Sequence, residues 1–184
     1  MVDLRDRWLP SDLIIGGEPF PIDTDFRTWI RWCVQAERER TAGAYIFTGE
    51  IPVADWVPAA SEFAKCRTET PKGLPDSGVR VFDYIEDGGR LVAAFQQAYG
   101  IDLTDGMLDM HWWRFRSLLD NLPDGTALGR VMAFRGWIKP SKSKNAEDEF
   151  NAKMRRAYRL PSIRTAEDEH AIEIQKEAFG LLTI

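Results

Sequence analysis

The sequence predicts a mainly α-helical fold: a compact multi-helix domain with a small β-hairpin near the N-terminus. Apolar residues recur every three or four positions in several segments, which is the period of a helix with one buried face. Glycines, prolines and capping residues separate these segments. Residues 12–22 instead combine extended-chain residues with a glycine pair that suits a tight turn.

The composition supports a folded, intracellular protein. The 184 residues are 44% apolar and 11% aromatic, so the chain can bury a core without disulfides or metals. Its net charge of −5 argues against a globally basic nucleic-acid binder. Two cysteines, Cys33 and Cys66, cannot form a disulfide framework, so we expect a reduced compartment.

No segment predicts membrane insertion or export. No stretch approaches the roughly 18–20 consecutive apolar residues of a membrane-spanning helix. The first residues, 1–8, are charged and lack the apolar core of a signal peptide. We therefore expect a soluble protein that is cytosolic when it is made.

The hairpin prediction rests on the turn and its flanks. Leu13–Ile15 favour an extended chain, and Gly16 and Gly17 permit the positive φ of a tight turn. Two prolines in the second arm keep it from being a central strand. A lone hairpin is marginally stable, so we expect this one to pack onto helices.

The first helix is predicted to begin after a cap at Asp23 or Thr24 and to run to about Arg40. Its predicted apolar face comprises Phe26, Trp29, Ile30, Cys33 and Val34. Residues 44–47, which follow, are compatible with either a strand or a packed loop.

Two further helices are predicted in the middle of the chain. The second spans Ala54 to Cys66, with Pro58 in its first turn, where a missing N–H is tolerated. Residues 71–78 form a loop by composition. The third helix is placed from Arg90, because a Gly-Gly pair just before it weakens the pattern, and Gly100 is its predicted C-terminal cap.

The second half of the chain predicts three helices and an extension. The fourth helix spans Leu108 to Leu122, the fifth follows a cap at Thr126, and the sixth spans Ala146 to Leu160. Three carboxylates that precede the fourth helix are interpreted as capping groups, because their spacing does not match a calcium loop; they are Asp102, Asp105 and Asp109. The predicted core comprises Trp29, Phe95, Tyr99, Trp113, Phe115 and Leu119.

The domain prediction is one helical domain over residues 1–161, with an acidic C-terminal extension, 162–184, that is helical and loosely docked. The extension contains a predicted terminal helix at 165–179. A basic connector is predicted at 139–144, before the sixth helix.

No pattern in the sequence predicts catalysis. His111 and His170 lie far apart and in no metal-ligand spacing, and Cys33 sits on an apolar face where packing is its expected role. Phosphate-loop and nucleophile-elbow motifs are absent from the sequence. We therefore predict a protein that is not an enzyme, with no catalytic, cofactor-binding or metal-ligating residues and no cofactor.

The region 130–159 is locally basic, with nine cations, three carboxylates and a net charge of +6. It can be a solvated surface, a site for an acidic protein surface, or a contact for nucleic-acid phosphates. Because the whole chain is acidic, we predict no nucleic-acid partner.

Four segments carry a resemblance to a known family: Leu91–Leu103 (LVAAFQQAYGIDL), Met110–Leu119, Arg130–Trp137 and Met154–Pro161. Together with residues 14–29, they resemble small bacteriophage proteins named for a fifteenth gene product, from tail gene clusters of siphophages of Gram-positive hosts. The resemblance covers roughly residues 10–161, and 95–119 is its most specific part.

The resemblance implies a phage tail assembly chaperone or accessory factor that acts in the cytoplasm of the bacterial host during phage assembly. Its implied partners are the tape-measure protein and the tail-tube protein, and a homo-oligomer is possible. No membrane partner is expected. A structural tail or head-tail adaptor protein of the virion is the alternative, and a small enzyme is a third reading. Four methionines are expected to fill the core, with a groove for such a partner as the alternative: Met107, Met110, Met132 and Met154.

Overall fold

The computed structural model describes residues 8–66, 79–138 and 145–163. Within these ranges it confirms the predicted fold class, with α-helices and an N-terminal antiparallel hairpin. The elements are β1 (Asp12–Ile15), β2 (Glu18–Pro21), α1 (Phe26–Arg38), α2 (Val57–Ala64), α3 (Gly88–Tyr99), α4 (Trp112–Asp120), α5 (Ala127–Gly136) and α6 (Ala146–Ala157). The predictions for 71–78, 139–144 and 165–179 lie outside the described residues.

The hairpin forms where the sequence predicts it. β1 and β2 pair with Ile15 opposite Glu18, so Gly16 and Gly17 alone form the turn, with φ of +61° and +91°. Both angles lie in the left-handed region that glycine adopts without steric cost. Leu13 and Ile15 are buried, whereas Ile14 points to solvent. The hairpin therefore presents one apolar face to the rest of the fold.

The start of α1 differs from the prediction, because Asp25 is the cap. Its carboxylate accepts a hydrogen bond from the backbone N–H of Arg27 at 2.8 Å. Neither predicted cap, Asp23 or Thr24, has this role: Asp23 accepts instead from the N–H of Asp25 and the hydroxyl of Thr28. The apolar face also includes Trp32, which is 4% exposed and was absent from the predicted set.

The middle of the chain keeps its predicted order with shifted boundaries. Residues 44–46 are a single 3₁₀ turn, so the strand alternative is wrong, whereas the burial of Ile46 and Phe47 agrees with a packed loop. Helix α2 is shorter than predicted at both ends. Helix α3 begins at Gly88 rather than Arg90, because Asp87 just before it is anchored by a long-range ion pair. Gly100 caps its C-terminus with φ of +66°, as predicted.

Helix α4 is also shorter than predicted, because the turns before it are not helical. Asp102 and Asp105 stabilise those turns by accepting hydrogen bonds from the N–H groups of Thr104 and Met107. The cap itself is His111, so the helix-capping role predicted for Asp102, Asp105 and Asp109 is wrong. Thr126 caps α5 as predicted, through the N–H of Gly129. Helix α6 ends at Ala157 rather than Leu160.

The core is aromatic and joins α1, α3 and α4. Phe115 stacks on Phe26 and Phe95, with ring centroids 5.0 Å and 5.2 Å apart. Five of the six predicted core residues are buried: Trp29, Phe95, Trp113, Phe115 and Leu119. The sixth, Tyr99, is half-buried because its hydroxyl donates to the carbonyl of Leu118 near the surface. Of the methionines, Met110 is buried in the core and Met107 is exposed.

Candidate functional site

A surface groove of about 730 Å³ lies beside the C-terminal half of α6, the residues that follow it, and residues 79–80. The described residues that line it are apolar or basic, apart from one serine, and include no carboxylate. The apolar ones are Val79, Trp137, Ala152, Leu160, Pro161 and Ile163. The basic ones are Arg80, Arg135, Arg155, Arg156 and Arg159.

Aromatic packing between α5 and α6 holds one wall of the groove in place. The ring of Phe134 stacks on Tyr158 with planes 5° apart, and it meets Phe150 edge-on. Both contacts have centroid distances of 6.0 Å, which is within the favourable range for aromatic pairs. The end of α6 is thereby fixed against α5, and the arginines of its last turns stay beside the groove.

Arg135 forms the floor of the groove and is not a free cation. One guanidinium nitrogen lies 3.0 Å from the carboxylate of Asp87, a second donates to the carbonyl of Val81, and Nε donates to that of Tyr158 at 2.6 Å. The ion pair is buried on both sides. Arg135 therefore holds together α3, α5 and the backbone on both sides of the groove. Its inclusion in a basic surface was wrong.

Arg80 stands at one edge of the groove and is also neutralised. It pairs with Asp83 at 2.6 Å and donates to the carbonyl of Pro161 at 2.7 Å. Burial raises the pKa of Asp83, but hydrogen bonds from the N–H groups of Glu86 and Ile85, with the charges of Arg38 and Arg80, outweigh it and hold that pKa below its ordinary value. Asp83 therefore stays ionised and fixes Arg80 in place.

Three arginines of the groove have no such partner among the described residues. In the described part of the chain, no ion pair involves Arg155, Arg156 or Arg159. Arg156 and Arg159 are exposed, and Arg155 is half-buried. Guanidinium groups bind carboxylates through paired, charge-assisted hydrogen bonds. Beside the apolar wall, these three cations suit a ligand that carries both carboxylates and apolar side chains.

His111 is held by two hydrogen-bond contacts, and Cys33 and Cys66 pack in or against the hydrophobic core. Nδ1 of His111 accepts a hydrogen bond from the N–H of Trp113 at 3.0 Å, and Nε2 lies 2.9 Å from the carbonyl oxygen of Pro10. Burial lowers the pKa of His111 and favours the neutral ring. Burial raises the pKa of the Cys33 thiol to about 11 and that of Cys66 to about 12, so both stay protonated at neutral pH.

Other kinds of site find little support in the described ranges. Over 8–66, 79–138 and 145–163, no group of three or more His, Cys, Asp or Glu side chains is placed to hold a metal ion. The helices within those same ranges are all too short or too polar to cross a membrane. His170 lies outside the described residues.

Sequence reasoning found the charge of this site but not its shape. The local excess of cations in 130–159 was the available signal. It did not separate Arg135, which is buried, from Arg156, which is exposed. The apolar wall was also missed, because Val79 and Trp137 come from segments that meet α6 only in the folded chain.

Comparison with known proteins adds one finding. A family model described as bacteriophage Gp15 protein matches residues 45–160, which include most of the groove and all of α2 to α6. Neither a curated protein nor a solved structure matches the chain significantly.

Proposed function

The chain belongs to the bacteriophage Gp15 protein family, and we propose that it acts in tail assembly, as a chaperone or accessory factor that binds the tape-measure protein, the tail-tube protein or both. The family model covers more than half of the chain and supports a phage-related role. The observation that carries the binding role is the groove, in which Arg155, Arg156 and Arg159 lie beside an apolar wall without carboxylate partners in the described ranges.

The chemistry of the groove suits a helical protein segment. An amphipathic helix binds a groove by placing its apolar side chains on an apolar wall, and charge complementarity sets its orientation and register. The three arginines would bind acidic residues along one edge of such a helix. The tape-measure protein is expected to be long and helical, so it offers segments of this kind.

We also propose that the protein works by binding rather than by catalysis, in the host cytoplasm. The protonated cysteines and the hydrogen-bonded ring of His111 support this, because none is poised as a nucleophile or a general base. Self-association is a further proposal, since a factor that coats a filament is needed in many copies.

The binding role is tested by co-purification from induced cells, with the tape-measure protein as bait. The double variant Arg156→Glu/Arg159→Glu reverses two groove charges, and we expect it to lose the partner. Lys153→Glu is the control for reversing a charge on α6, because Lys153 is an exposed cation of the same helix as Arg156 and does not line the groove. Equal recovery of the groove variant and the wild type would exclude the groove as the binding site.

Mass spectrometry of purified virions distinguishes a chaperone from a virion component. A chaperone leaves once the tail is complete, so we expect the protein to be absent from finished particles. A fixed copy number in the virion would instead identify a structural tail or adaptor protein.

A further inference from the structure

We propose that in the free protein the groove is the docking site of the chain's own C-terminal segment, residues 164–184. The last described residue, Ile163, is itself part of the groove lining. The segment therefore leaves the described structure inside the site. The claim that this docking regulates partner binding rests on the proposed function. The claim that the segment contacts the groove does not depend on it.

The charge of the segment complements that of the groove. Residues 164–184 contain five carboxylates and two cations, a net charge of −3. The carboxylates are Glu167, Asp168, Glu169, Glu173 and Glu177. The groove presents Arg155, Arg156 and Arg159 without carboxylate partners in the described ranges. Docking would pair the carboxylates of the segment with these arginines, which gives the contact charge complementarity.

The apolar content of the segment also fits. Six large apolar side chains occur after residue 170: Ile172, Ile174, Phe179, Leu181, Leu182 and Ile184. The groove offers Val79, Trp137 and Leu160 as an apolar wall. A purely charged segment would bury no apolar surface against this wall. A segment with both charged and apolar side chains can contact the arginines and the apolar wall together.

The connection supports an intramolecular occupant over a second copy of the chain. Glu173 lies ten residues after Ile163, and an extended chain covers at most about 3.3–3.6 Å per residue, so the segment easily spans the groove. A short tether gives an effective concentration in the millimolar range. Contacts too weak to hold a separate molecule are then sufficient, and a partner with the same chemistry can still displace the segment.

The test is hydrogen exchange of the full-length protein, measured by mass spectrometry on peptides from 146–163 and 164–184. In the wild type we expect both stretches to be protected, independently of protein concentration. In Arg156→Glu/Arg159→Glu, exchange in 164–184 should rise about tenfold, since two ion pairs become repulsions and each factor of ten requires only about 1.4 kcal/mol. Lys153→Glu should leave it unchanged.

A charge swap makes the test specific and does not depend on the groove variant alone. Glu173→Arg/Glu177→Arg in the tail should raise exchange as the groove variant does, and combining the two pairs should restore most of the protection. Circular dichroism verifies that each variant remains folded.

Two outcomes overturn the inference. Fast exchange of 164–184 in the wild type would show that the segment does not dock, and protection that appears only at high protein concentration would assign the contact to a second copy. Partner binding is measured separately by co-purification. A chain whose tail docks but binds no tail protein therefore refutes the proposed function alone, and the reverse result refutes this inference alone.

Discussion

The guanidinium group of Arg135 on α5 and the carboxylate of Asp87 at the start of α3 form an ion pair in which 5% and 0% of the two side chains is exposed. Arg135 also donates to the carbonyl of Tyr158, just after α6. This buried pair therefore connects the aromatic core to the groove. The shape of the groove therefore depends on Asp87, which is not part of its lining, as well as on Arg135, which is.

We expect Asp87→Ala to lower the free energy of unfolding by about 3–5 kcal/mol, because it leaves the buried charge of Arg135 uncompensated. Chemical denaturation followed by fluorescence measures the change. Glu86→Ala is the control, since Glu86 is an exposed neighbour, and it should change stability by no more than about 0.5 kcal/mol. Equal effects of the two substitutions would show that the pair does not stabilise the fold.

Asp83 predicts an acid dependence of stability. Its pKa lies below the ordinary value in the folded protein. Its contribution is therefore fully present above the unfolded-state pKa of about 3.9, and it is lost as the pH falls through the lower, folded value. Asp83→Asn removes this titration. We expect the variant to be less stable at neutral pH, with a flatter acid limb in urea unfolding from pH 5 to 2. Parallel curves would contradict this assignment.

The position of Phe115 predicts how much the aromatic core contributes to the free energy of unfolding. Its ring is fully buried and stacks on Phe26, Phe95 and Trp112. Phe115→Ala removes these contacts and leaves a cavity, so we expect a loss of about 3–5 kcal/mol in the free energy of unfolding. Thermal and urea denaturation measure it. Ile14→Ala, on the exposed face of the hairpin, should have little effect.

Much of the fold followed from local patterns. The hairpin required only a Gly-Gly pair between extended residues, and Gly100 and Thr126 acted as caps where their chemistry suits them. The aromatic core was predictable because its residues recur at helical spacing, although Trp32 was missed. Trp32 lies on the edge of the apolar face of α1, and neighbouring elements determine whether a residue at such an edge is buried.

The site depended on contacts that local patterns do not encode. Asp87 precedes a Gly-Gly pair, where a carboxylate is expected at the surface, yet its partner Arg135 is 48 residues away. The start of α3 could not be placed without that pair. His111 was missed as the cap of α4, because Ser, Thr, Asp and Asn are the residues that usually cap helices.

Because His111 caps α4, we expect the stability of the protein to depend on pH between the pKa of His111 in the folded protein and its pKa in the unfolded chain. Nδ1 accepts the N–H of Trp113, so it must be unprotonated for the cap to form. The folded pKa is lowered, chiefly by burial. The imidazole of His111 therefore binds a proton more readily in the unfolded chain than in the folded protein. The contribution of His111 to stability is present above its unfolded-state pKa of about 6.5 and is lost as the pH falls through its folded-state pKa.

Two substitutions separate the cap from the titration. His111→Ala should cost about 0.5–2 kcal/mol at pH 8, because the N–H of Trp113 loses its acceptor. Asn is a good capping residue that does not titrate, so His111→Asn should keep most of that stability and lose its dependence on pH between 7 and 5. Melting temperatures of the three proteins across this range are the measurement. If the melting temperature of His111→Asn depended on pH as strongly as that of the wild type, a group other than His111 would cause the pH dependence.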